Sequence, residues 1–94
     1  MNDEVVRGAE AQRLLDSKIF KDAAQSVRDG IMAQMSRVAI KDVEMHSKLI
    51  ITLQLWGALE KHIQGIANTG KMAQFQIEQE EKQSKILEMF RFGR

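Results

Sequence analysis

The chain has 94 residues, which is room for one small domain with a marginal core and not for two. Its 14 basic and 13 acidic residues leave a net charge of +1, which argues against a protein whose main task is gripping a phosphate backbone. Cysteine is absent, which removes disulfides, thiolate nucleophiles and Cys-ligated zinc.

Proline is absent too, so little punctuates the chain, and the pattern predicts an all-α fold of long helices. The first helix is expected over residues 3–15, capped by Asn2 or Asp3, with Glu4 at its positive dipole end. Its apolar stripe is weak and Gly8 weakens it further. Asp16-Ser17 reads as a break and a new cap. The second helix runs from there to about residue 37. Phe20, Ala24, Val27, Ile31, Met35 and Val38 form one continuous face at steps of three and four. Gly30 interrupts it as a tolerated weak point or a place of close backbone approach.

Residues 38–41 make a short connection, and Asp42 caps a third helix with Glu44 in its first turn. The third stripe is His46, Leu49, Leu53, Trp56, Ile63 and Ile66, flanked by Ile50 and Leu59. So short a connection predicts an antiparallel helical hairpin of helices two and three, with the short N-terminal helix packed across it. The apolar window 49–59 is about half the ~20 residues a bilayer span needs and reads as a buried helix face, with no membrane span. Asn68-Thr69-Gly70 reads as a helix stop, with Gly70 free to take the left-handed conformation at C′. That divides the chain into a hairpin body over 1–70 and a C-terminal unit over 71–94.

The projecting C-terminal helix, expected over 72–90, has no apolar residue between Ile77 and Ile86. Glu78–Lys82 and Glu81–Lys85 are i,i+4 pairs in the favourable order. A helix polar all round either bridges two packed ends or is not stably formed, and the flanking apolar residues point to the bridge. Met72, Phe75 and Ile77 anchor one end. The other end is an apolar, aromatic, basic tip, where Ile86, Leu87, Phe90, Arg91 and Phe92 are the candidate protein-interface residues. Arg94 adds charge beside them.

No chemical site emerges. His46 and His62 stand sixteen residues apart on one helix, ~24 Å at 1.5 Å per residue, so one ion cannot bind both within a chain. None of Ser17, Ser26, Ser36, Ser47 or Ser84 sits in a nucleophile elbow. Thr69-Gly70-Lys71 matches no phosphate loop. A helix-turn-helix across residues 15–18 would present few base-reading side chains. No catalytic residue, metal or cofactor is assigned. Trp56 reads as a core anchor, Met32, Met35, Met45 and Met72 as core gap-fillers. Gly57 and Gly65 lie roughly on one face, where a neighbouring helix in an oligomer could come close.

Two phrases, Leu14-Leu15-Asp16-Ser17-Lys18-Ile19-Phe20-Lys21-Asp22-Ala23 and the stretch from Leu53-Gln54-Leu55-Trp56 to Thr69-Gly70-Lys71-Met72-Ala73, resemble small helical proteins encoded by tailed bacteriophages, often among their structural genes. The resemblance covers roughly residues 5–73 and brings no catalytic residues with it. It implies a non-enzymatic structural or assembly protein, in the virion or the host cytoplasm. Its partners would be other virion proteins or further copies of itself. The acidic, polar start at Met1-Asn2-Asp3-Glu4 is unlike an export signal and agrees with that setting. The alternative is a small regulator or inhibitor of a host or phage enzyme. A DNA-binding packaging or transcription factor stands behind both.

Overall fold

A computed structural model describes the backbone of residues 2–92 and the side chains of residues 2–91. The fold is all-α, with three helices among the described residues: α1 (Asp3–Asp16), α2 (Lys18–Arg37) and α3 (Val43–Phe92). The caps are those the residue types demand. The Asn2 carboxamide oxygen accepts from Glu4 N–H at 2.9 Å, and Asp42 Oδ1 accepts from Met45 N–H at 3.1 Å. Ser17 alone separates α1 from α2. Its backbone is extended, its N–H donates to Leu14 C=O, and its hydroxyl accepts from Phe20 N–H. One residue thus closes a helix and opens the next.

The arm formed by α1 and α2 runs back along α3. Three contacts fix the direction: His46 Nε2–H donates to Ala39 C=O at 3.1 Å, Arg28 pairs with Glu60, and Gly8 meets Gly70. Positions rise along the arm as they fall along α3, so the two are antiparallel. Along α3 the inner seam from 46 to 70 is His46, Leu49, Leu53, Trp56, Glu60, Ile63, Ala67 and Gly70, all buried or half-buried, with Ile66 half-buried beside it and Ala73, Ile77 and Gln79 covered further on. The seam alternates steps of three and four, the 3.5-residue period of coiled-coil packing. Ala24 and Ile31 are the buried residues of α2, with Phe20 and Met35 half-buried and Val38 half-buried at its C-cap, while Val27 of the expected stripe is exposed. Glu60 fills the gap between Trp56 and Ile63 in the expected stripe, and Arg28 neutralises it there.

Three expectations are corrected. The chain does not stop at residues 68–70: α3 is one 50-residue helix, and no described glycine has a positive φ. Gly70 is small for another reason. A Cβ built on it would lie 2.6 Å from Gly8 Cα and 2.8 Å from Glu4 C=O, and one built on Gly8 would lie 2.5 Å from Gly70 Cα. The pair is a backbone crossing, walled by Ala11, Ala67 and Ala73. The closest packing therefore joins α1 to α3, where the weak stripe of α1 had given least reason to expect it. Thirdly, body and projection form one rod. Asn2 lies beside Gln76, and α3 runs on about 15 residues past the arm, ~22 Å. In that stretch Glu78 accepts from Gln74 at 3.2 Å, and neither Glu78–Lys82 nor Glu81–Lys85 closes as an ion pair.

Candidate interaction face

The face of α3 turned away from the arm carries a second repeat of its own. Ile51, Leu55, Ala58, His62, Gly65, Thr69, Met72, Gln76, Gln79, Gln83, Ile86 and Phe90 step by four and three without a slip. All are exposed except the half-buried Gln79. Its two ends are apolar: Leu55 is 68% exposed and Phe90 79%. Its middle is small or polar except for Met72, 66% exposed. Alongside Ala58, His62, Gly65 and Thr69 runs an open groove, floored by Ile66 and rimmed by Lys61 and by Glu4 and Arg7 of α1. The α1–α3 crossing makes that groove. By seating α1 so close, Gly8 and Gly70 bring Glu4 and Arg7 within reach of the outer face of α3.

The sequence-predicted tip is where the helical spacing puts it. Ile86, Leu87 and Phe90 are exposed on the final turns, joined by Met89 at 72%. Arg91 stands exposed in the last turn, beside the negative end of the helix dipole. The Phe92 side chain, Gly93 and Arg94 lie outside the described residues. The tip is thus the end of a longer face. Ile51, Leu55, Ala58 and Gly65 belong to it, and sequence reasoning placed the 49–59 window in the core. Ile50, Ile51, Leu55 and Leu59 are instead exposed, as are Met32, Met45 and Met72. The missed signal was a second three-four repeat, out of phase with the first by about half a turn.

Trp56 lies on the inner seam, half-buried, and its indole N–H finds no partner among the described residues. His46 is spent on Ala39, and His62 opens onto the groove. Among the described residues no three His, Cys, Asp or Glu side chains gather where an ion could bind, and no helix is long and apolar enough to cross a membrane. What this face offers chemically is apolar area, small-residue depressions and mixed charge, which serve docking.

Compared with known proteins, the chain matches no family model, no curated protein and no solved structure.

Proposed function

We propose that this chain is a non-enzymatic structural or assembly protein of a tailed-phage particle, acting through helix-mediated contacts with other virion proteins or with itself. The observation that carries the reading is the run of α3 past its arm, ending in the exposed Ile86, Leu87, Met89 and Phe90. An apolar cluster on the end of a polar stalk has nothing among the described residues to cover it, and such a patch marks an interface. The phage setting comes from the sequence resemblance. Removing residues 86–94 is expected to abolish assembly while leaving the helical circular-dichroism signal of the body largely intact. Equal assembly by the shortened chain would sink the reading.

A small regulator or inhibitor is the second reading. Val6, Leu14 and Ile19 favour it, as exposed apolar side chains on the arm that could meet an enzyme surface. A single stoichiometric host enzyme, bound and inhibited by the purified protein, would select it.

A further inference from the structure

We propose that the occupant of the outer face is a second copy of this chain, its α3 laid antiparallel on the first about a two-fold axis between Gly70 and Lys71. This rests on the reading of the protein as one that works by helix contacts, and it names the partner and the register.

In that register the twelve outer-seam positions pair with one another. Ile51 falls opposite Phe90 of the second copy, and Leu55 opposite Ile86, so apolar ends meet apolar ends. In between, Ala58 falls opposite Gln83 and Gly65 opposite Gln76, so each long glutamine lies over a depression left by a small residue. His62 meets Gln79, two polar side chains able to bond. A cβ on Gly65 would meet nothing within 4 Å in its own chain, so the space above it is open to a neighbour. Both copies bring the same surface, as a two-fold interface requires.

Charge agrees with the same axis. The contacts of Gly70 with Gly8 and with Glu4 C=O place Glu4 and Arg7 at the level of residue 70, beside the two-fold. Both line the groove, and neither side chain is paired with another among the described residues. A two-fold sets the Glu4 of each copy against the Arg7 of the other, an acid and a base matched twice by one operation.

The native chain has no cysteine, which makes cross-linking clean. Residues 55 and 86 are about 46 Å apart on one helix, so a disulfide between them can form only between copies. The full chain is expected to be a dimer by light scattering. The double variant Leu55→Cys/Ile86→Cys is expected to oxidise to a covalent dimer, and neither single variant is. Gly65→Leu, harmless inside the monomer, is expected to weaken dimerisation about tenfold or more with its helical signal kept. Cross-linking of either single variant would show a parallel pair and overturn the proposal, as would a monomer at tens of micromolar or a dimer indifferent to Gly65→Leu. Loss of the dimer alone leaves the partner-binding reading standing as long as removal of 86–94 still abolishes assembly. Assembly unaffected by that removal sinks that reading instead.

Discussion

Gly8 and Gly70 fix how near α1 can come to α3, and their substitution separates two roles a helical glycine can have. In an exposed helix interior, Gly→Ala gains about 0.5–1 kcal/mol, because alanine restricts the unfolded chain and costs the helix nothing. Gly30 meets that description, with nothing within 4 Å of an added Cβ. Gly30→Ala is therefore expected to raise stability by about 0.5–1 kcal/mol in urea unfolding. At Gly70 the added methyl would press on the backbone of Gly8 and Glu4, which cannot rotate away as a side chain could. Gly70→Ala is expected to lower stability by about 2 kcal/mol, the propensity gain being outweighed by overpacking. Equal effects at the two sites would mean that the crossing is looser than the distances say. In the sequence both are a glycine in a helical pattern, and Asn68-Thr69-Gly70 carries a stop signal that is local. What overrides it is Gly8, sixty-two positions away, and no reading of spacing supplies that partner.

The elements were more legible than their junctions. The stripes of α2 and α3 were readable because a helix that buries one side repeats its apolar residues every three or four positions, wherever its partner lies. The caps at Asn2, Ser17 and Asp42 were readable because their chemistry is confined to a few residues. Ser17 carries the most, since it is both the end of α1 and the N-cap of α2. Ser17→Ala is expected to cost about 1 kcal/mol, measured by thermal unfolding, and the two helices then lose the bond that defines their joint. The Arg28–Glu60 pair shows why the inner stripe skipped a position. With side chains 35% and 28% exposed, it is shielded but still wet. A double-mutant cycle with Arg28→Ala and Glu60→Ala is expected to give a coupling of about 0.5–1 kcal/mol that falls with added salt. The outer stripe was harder to see. Its apolar residues interleave with those of the inner stripe over 49–59, and the sum looks like one buried segment. Only the position of the arm shows which half is covered.

The whole molecule is a rod. Its Cα radius of gyration is 22.1 Å, where a compact domain of this length would have about 12 Å. The principal extent of 80 Å is close to the ~75 Å of a 50-residue helix, so α3 sets the length and the arm only thickens one part of it. Among the described residues no large side chain is fully buried, and so slender a body leaves much of its apolar surface for association to cover. The shape gives a test of register that needs no substitution. Two copies paired along the full outer face, about an axis between residues 70 and 71, overlap almost completely. The dimer then doubles the mass while its longest dimension stays near 90 Å. Pairing through the tips alone, with Met72 against Phe90 and an axis near residue 81, would slide the rods apart to about 120 Å. X-ray scattering of the native dimer, read at its maximum dimension, distinguishes the two. The shorter value is expected, because only the fuller overlap covers Ile51 and Leu55 and seats the glutamines over Ala58 and Gly65.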